Sequence, residues 1–311
     1  MNVRGYNPKV TEKYGIGTFA VSLIICTRNR CVKLARCLRY VERITFDQPW
    51  ELIIVDNGSS DGTAAVVQEF SKTAHIPVVY VFETKQGNGN GRNAGVNIAR
   101  GEIMAFTDDD CYPAADFLKK TWIAFEDPSI GYITGRVILH DESDYPITIN
   151  ESNTPRVFPK NAFMSAGAVQ GANMAFRKMV LIDIGGFDPL FGAGALFSAE
   201  DIDVASRASA GGWIGRYQPE VVVRHHHGRK AADAQGVWKA YAIGRGAYHM
   251  KLLLRGEFAW FARGIYGLRW RYKLGRKAIL WEQVGATQYA YLMLAQRCRS
   301  WLSRVFGRDV T

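Results

Sequence analysis

Glu51-Leu-Ile-Ile-Val-Asp-Asn-Gly-Ser-Ser-Asp61 is the stretch that decides the fold. Its first five residues are a short run rich in β-branched side chains, as a buried strand requires, and a polar turn follows in which Ser60 or Asp61 can cap a helix carrying Ala65, Val66 and Phe70. The same unit stands upstream. Val21-Ser-Leu-Ile-Ile-Cys26 runs through polar Thr27-Arg-Asn-Arg30 into a helical pattern with Leu34, Cys37, Leu38 and Val41 on one face. Downstream, Val78-Val-Tyr-Val-Phe82 leads through a glycine-rich loop to a helix around Ala94 to Arg100, and Ile103-Met-Ala-Phe106 ends in Thr107-Asp-Asp-Asp110. Apolar strands alternating with helices predict an α/β fold with a mostly parallel central sheet covered on both faces. Ligands of such sheets gather at the carboxyl ends of the strands, where Thr27, Asp56 and Asp108 to Asp110 fall.

Beyond a strand at Tyr132 to Leu139 the pattern loosens. Asp141 to Lys160 is polar, holds Pro146, Pro155 and Pro159, and reads as a mobile surface loop. Gly171-Ala-Asn-Met-Ala-Phe-Arg177 gives a short strand, Gly185-Gly-Phe-Asp188 a turn, and Ser198 can cap a helix from about Ala199 to Ala210. Val221-Val-Val223 is a further strand, stopping at Arg224-His-His-His227.

The 311 residues, 48% hydrophobic and 22% charged, exclude disordered and fibrous classes. Met1 to Ala20 lacks the apolar core of a signal peptide, and Phe258 to Trp270 is interrupted by Arg263 and Arg269, so a cytoplasmic chain without a spanning helix is expected. Five cysteines without C-x-x-C spacing argue against a disulfide framework or structural zinc and read as reduced core thiols. Net charge is +10, but from Gly228 onward sixteen Lys or Arg face four acids, a local +12 that leaves −2 for the rest.

Three consecutive aspartates after an apolar strand repel one another unless a cation neutralises them. Carboxylate oxygens favour Mg²⁺ or Mn²⁺, ions that usually bridge to substrate phosphates, and spacing favours Asp108 and Asp110 as their ligands. The alternative is a solvated acidic loop capping the helix after Pro113. Glu200-Asp201-Ile-Asp203 opens a helix whose dipole would keep Asp201 ionised; in a cleft that carboxylate could take a proton from an alcohol, and elsewhere it is a helix cap. His225 and His227 share one face of a strand end and His226 takes the other, so either of the pair could ligate a metal. Gly89-x-Gly91-x-x-Ala94 formally matches a dinucleotide fingerprint, but it follows the third strand and not the first. An NAD(P)-dependent oxidoreductase is therefore the remotest alternative. No P-loop signature is present.

Taken in order, these stretches resemble the family 2 glycosyltransferases, which have the A-type (GT-A, Rossmann-like) fold, over about residues 20 to 228. The carriers are Val21 to Arg30, Glu51 to Thr63, Gly91-Arg-Asn-Ala-Gly95, Asp108-Asp-Asp110, Gly171 to Arg177, Gly185 to Asp188, Glu200-Asp201 and His225 to Gly228. The resemblance implies that Thr27 and Asp56 meet the nucleotide base, Asp56 accepting from the imide N–H of uracil or thymine, with Arg92 near the base or diphosphate. It makes Asp108 to Asp110 the D-x-D motif: Asp108 and Asp109 serve the nucleotide, and Asp108, Asp110 and His225 the metal, Mn²⁺ or Mg²⁺, with His227 in reserve. Asp201 resembles the catalytic base and Glu200 the residue that helps hold the acceptor. One base without a covalent nucleophile predicts inversion at the anomeric carbon.

The organisation expected is an N-terminal extension (1–19), a catalytic domain (20–228, with a nucleotide-binding half 20–112 and an acceptor half 113–228) and a basic, aromatic helical region (229–311). That last region interleaves Trp260, Phe261, Tyr266, Trp270, Tyr272 and Trp281 with Arg263, Arg269, Arg271, Lys273, Arg276 and Lys277. It reads as a peripheral membrane contact on the cytoplasmic face, the alternatives being a solvated helical cap and a nucleic-acid surface. The whole predicts a metal-dependent inverting transferase that uses a UDP-sugar and a glycan or lipid-linked glycan acceptor in polysaccharide biosynthesis. A non-catalytic binding module on the same fold is the competing class.

Overall fold

The computed structural model describes residues 2–4, 19–266 and 276–306. Most of the expected N-terminal extension, and Arg269, Trp270, Arg271, Tyr272 and Lys273, lie outside the described residues. The chain divides into two compact units, one of Met1–Leu196 with Glu200–Ala234, the other of Phe197–Ala199 with Gln235–Thr311.

The first unit is built on a ten-stranded sheet. Strands β2 (Phe19–Thr27), β3 (Trp50–Asp56), β4 (Val78–Phe82) and β5 (Gly101–Asp108) run parallel in the order β4-β3-β2-β5. Next come β9 (Asn173–Arg177), antiparallel to both its neighbours, then β7 (Ile130–Leu139) and β10 (Ile214–His225), which are parallel to each other. The short strands β1 (Asn2–Arg4), β6 (Cys111–Pro113) and β8 (Arg156–Phe158) pair antiparallel with β4, β10 and β10. The six strands β2 to β5, β7 and β10 thus share one direction, the mostly parallel sheet that the alternation predicts.

The core follows from the strands' continuous apolar runs. All seven residues of β3 are buried, and Leu23, Ile25, Leu52 and Ile54 join Leu34, Cys37, Leu38 and Val41 of helix α1 (Cys31–Val41) in one cluster. Each such side chain removed from water contributes about 1.5–3 kcal/mol. Helix α2 (Thr63–Thr73) buries Thr63 and Val67, with Val66 and Phe70 half-buried and Ala65 exposed, a slightly rotated face relative to expectation. Its entry is set by Asp61, whose carboxylate accepts from the Thr63 N–H (3.0 Å).

Three expectations are corrected. The glycine-rich loop is helical: α3 spans Asn88–Ile98 and includes Gly89, Gly91 and Gly95. A Cβ on Gly95 would lie 2.7 Å from Ile24 Cγ2, and one on Gly89 would lie 2.8 Å from the Asp188 carbonyl, so these glycines let α3 sit close against its neighbours. The strand read as Val221 to Val223 is the end of twelve-residue β10, interrupted by a register shift between Gln218 and Val222 where Pro219 cannot donate to the ladder. The Asp141 to Lys160 segment is anchored by β8, by a bridge between Asn150 and Val137, and by buried Asp144, Ile147 and Phe158.

Helices α4 (Phe117–Ala124), α5 (Lys178–Asp183) and α6 (Glu200–Ala210) complete this unit. The second unit contains α7 (Ala234–Leu254), α8 (Phe258–Tyr266) and α9 (Arg276–Phe306). In it, a Cβ on Gly246 would strike the Glu282 carbonyl and one on Gly285 the Ile243 carbonyl, so α7 and α9 meet nearly backbone to backbone. Arg245 adds an ion pair with Glu282 (2.9 Å). No helix among the described residues is long and apolar enough to cross a membrane. All five cysteines are free thiols, Cys298 being exposed and not part of a core.

Candidate active site

Strand register gathers the polar strand ends. Thr27 pairs with Asp56 across β2 and β3, and Cys26 with Asp108 across β2 and β5, so three carboxyl termini stand side by side. Just past Asp110 the chain enters β6, which runs antiparallel to β10 with Cys111 opposite His225. That register brings a histidine from the far end of the domain to the acidic triplet, with His225 Nε2 3.4 Å from Asp110 Oδ1.

The triplet divides by side-chain direction. Asp108, Asp110, Cys111 and His225 each offer a donor atom within 4.8 Å of the others. Asp109 instead accepts from the Thr27 hydroxyl (2.7 Å) and pairs with Arg30 (2.7 Å). Burial pushes the Asp109 carboxyl up to about 7, against the opposing charge of Arg30. At Asp110 burial also pushes upward, but the hydrogen bond and charge of His225, then Arg30 and Lys33, outweigh it and hold the carboxyl far below its usual range. Burial, then the neighbouring aspartates, keep the Cys111 thiol protonated. What remains is two carboxylates and an imidazole, a donor set that fits Mn²⁺ or Mg²⁺. Thr148 Oγ1 stands 3.3 Å from His225 Nδ1, behind the imidazole. His227 lies outside that grouping: its Nδ1 accepts from the Arg229 N–H (2.9 Å) and lies 3.7 Å from Asp144. A second grouping of Asp141, Asp144 and His226 is already balanced, since Lys230 sits 2.7 Å from Asp144.

Arg92 ties this centre to the helix bearing Asp201. Its guanidinium, 2% exposed, donates to Glu200 (3.1 Å), to Asp108 (3.4 Å) and to the Gly171 carbonyl (3.1 Å), beside the rings of Phe106 and Phe187. Expected from the sequence near the base or diphosphate, it lies in the structure against Asp108 of the acidic triplet. Gly171 is required there, because a Cβ would come within 2.8 Å of the Arg92 Nη2. The N–H of Gly171 donates to Asp201 Oδ2 (3.1 Å), and the Ile202 N–H to Oδ1 (2.8 Å). Burial, then the adjacent Glu200, push the Asp201 carboxyl up to about 7. Ala199, just before α6, takes φ +90, a region that non-glycine residues occupy at a cost of roughly 1–3 kcal/mol, as active sites often do.

Asp56, 1% exposed, accepts from the Tyr80 hydroxyl (2.7 Å) at one oxygen and from the Ser59 N–H (2.7 Å) at the other. A carboxylate has about four acceptor positions, so lone pairs remain on it for a further donor. Tyr80, Arg30, Lys33 and Thr148 touch these groups but were given no role at the site in the reading of the sequence. Only Arg30, inside a motif-bearing stretch, left a signal there.

The residues 22–185 match the family model described as Glycosyl transferase family 2. Among curated proteins the chain is similar to the glycosyltransferase AglE of Haloferax volcanii, 25% identical over 206 residues that make up 66% of each chain. Among solved structures it resembles a mannosyltransferase, PcManGT, from Pyrobaculum calidifontis in complex with GDP-Man and Mn²⁺, with TM-score 0.55, 19% identity and coverage of 92% of this chain and 88% of that one. It also resembles S. aureus TarS 1-349 in complex with UDP-GlcNAc, with TM-score 0.53, 18% identity and coverage of 72% and 66%. The chain spans just under two thirds of AglE.

Proposed function

The chain belongs to glycosyl transferase family 2 and has the A-type glycosyltransferase fold, and from that premise we propose an inverting transferase that moves a sugar from a nucleoside-diphosphate donor to an acceptor hydroxyl. The donor is a UDP-sugar, the acceptor a glycan or lipid-linked glycan in polysaccharide biosynthesis, and residues 20–228 form the catalytic domain. The observation that carries the reading is the convergence of Asp108, Asp110 and His225 at aligned strand ends, linked through Arg92 to Glu200 and Asp201.

Asp108, Asp110 and His225 would hold Mn²⁺ or Mg²⁺, which as a Lewis acid stabilises charge on a departing diphosphate. Thr27 and Asp56 form the base site, with Asp109 holding Thr27 in place. Each Asp56 oxygen accepts one protein donor and keeps a lone pair, so the carboxylate can still accept the imide N–H of uracil. Asp201 takes the proton of the acceptor hydroxyl as that oxygen attacks the anomeric carbon. A carboxyl raised to about 7 is well matched to that task near neutral pH. Arg92 fixes Asp108 on the donor side and Glu200 on the acceptor side, so both halves of the reaction share one positioned cation. With a single displacement, configuration inverts.

The second unit is proposed as a peripheral contact with anionic lipid on the cytoplasmic face. Its excess positive charge and the exposure of Phe258 (66%), Leu294 (61%) and Trp301 (59%) support this. The function is tested by incubating the full chain and Mn²⁺ with UDP-, GDP- and dTDP-sugars and a panel of glycan acceptors. Nucleotide release and the product's anomeric configuration are followed by NMR. Acceptor-stimulated UDP release with inversion supports the reading; retention, or no release from any donor, contradicts it.

A further inference from the structure

The protein's own cations neutralise the acidic triplet. Arg30 spans two of the three acids, with Nη1 2.7 Å from Asp109 Oδ1 and Nη2 in a short contact with Asp110 Oδ2. Lys33 Nζ lies 3.3 Å from that same Asp110 oxygen and donates to the His227 carbonyl (3.0 Å). His225 faces the other oxygen, so both oxygens of Asp110 are engaged. The two sides of this arrangement differ in freedom. The side chains of Asp109 and Asp110 are 2% and 5% exposed, whereas those of Arg30 and Lys33 are 38% and 37% exposed and reach in on long flexible stems.

A divalent cation held by Asp108, Asp110 and His225 would face like charge from Arg30 and Lys33 on the same carboxylate. The side chains free to yield are the exposed ones. A guanidinium fork that fits a carboxylate fits a phosphate by the same paired donors, so a diphosphate arriving with the cation supplies Arg30 with an equivalent partner.

Resting on the transferase reading above, we propose that Arg30, assisted by Lys33, is a diphosphate-binding residue held in reserve on Asp109 and Asp110, which it exchanges for the donor's diphosphate when a divalent cation occupies the site. Arg30 thus competes with the cation when no nucleotide is present and cooperates with it when one is. Binding of cation and nucleotide becomes coupled through one side chain, and such coupling is reciprocal. An Arg30 that only braced Asp110 would do the opposite, since its loss would leave the metal ligand misplaced.

The test measures Mn²⁺ affinity of the full chain by electron paramagnetic resonance, without and with UDP, and UDP affinity at saturating Mn²⁺ by calorimetry. Wild type, Arg30→Gln and Lys33→Gln are compared. Arg30→Gln is expected to bind Mn²⁺ alone about tenfold more tightly, and UDP about tenfold more weakly once Mn²⁺ is saturating. Lys33→Gln shifts both in the same directions by less, and it answers the question if Arg30→Gln does not fold. Unchanged or weakened binding of Mn²⁺ alone in the folded variants overturns the proposal while wild type keeps metal-dependent UDP binding. Wild type that binds UDP equally in Mn²⁺ and in EDTA overturns both the proposal and the reading on which it rests.

Discussion

Asp201 holds its proton up to about pH 7, since burial and then Glu200 oppose its ionisation more than the Gly171 and Ile202 N–H groups favour it. A base must be ionised to act, so the transfer rate should climb as pH rises through about 7 and level off above it. A profile flat from pH 5 to 9 would remove Asp201 from that role. Asp201→Asn should lower transfer by about 10²–10⁴-fold while UDP affinity survives, whereas Asp110→Ala should lose both. The same shift has a stability sign. Between an unfolded carboxyl's usual 3.8 and about 7 the native state keeps a proton that the unfolded chain has released, so this group's contribution to stability declines as pH rises through that window. The melting temperature of Asp201→Asn relative to wild type should therefore increase from pH 4 to pH 8. The like charges of Asp108 to Asp110 made a demand for positive charge legible in the sequence. That Arg30 and Lys33 meet part of that need was not, because nothing in spacing tells which of many cations folds back onto a strand end.

At the scale of elements, α3 looks like a loop in sequence because glycine, Asn and Arg dominate Gly87 to Asn93, and its helicity comes from close packing that no propensity reports. Gly95→Ala is a test of that account. Added helix propensity would favour the alanine, but its Cβ would meet Ile24 Cγ2 at 2.7 Å and Val55 Cγ2 at 3.2 Å, and overpacking of this kind costs about 1–3 kcal/mol. Gly236 in α7 is exposed with open space around its Cβ position, so Gly236→Ala should stabilise by roughly 0.5–1 kcal/mol. Chemical denaturation of both variants checks the opposed signs; a stabilised Gly95→Ala would contradict the packing argument. The four parallel strands were legible as apolar runs, and so were their polar ends. The three-residue strands β1, β6 and β8 were not, being too short to show a period, although β6 sets the register that carries His225 to Asp110.

Across the whole molecule, charge and chemistry are segregated. The unit carrying the acids and histidines is nearly neutral, and the positive excess belongs to the final quarter of the chain, where composition signalled a change of character although helix packing through Gly246 and Gly285 was invisible. If that excess serves lipid contact, the full chain should sediment with vesicles containing anionic lipid and be released by high salt. Equal sedimentation with neutral vesicles would argue against it. The central claim, that aligned strand ends and a carboxylate–imidazole centre make a metal-dependent nucleotide site, is tested most directly by calorimetric titration of UDP, GDP, dTDP and NAD⁺ into the protein, with Mn²⁺ and with EDTA. The account predicts that UDP binds with Mn²⁺, that GDP binds more weakly, and that EDTA abolishes both. Binding of NAD⁺ that is indifferent to EDTA, or no heat from any nucleotide, would contradict it.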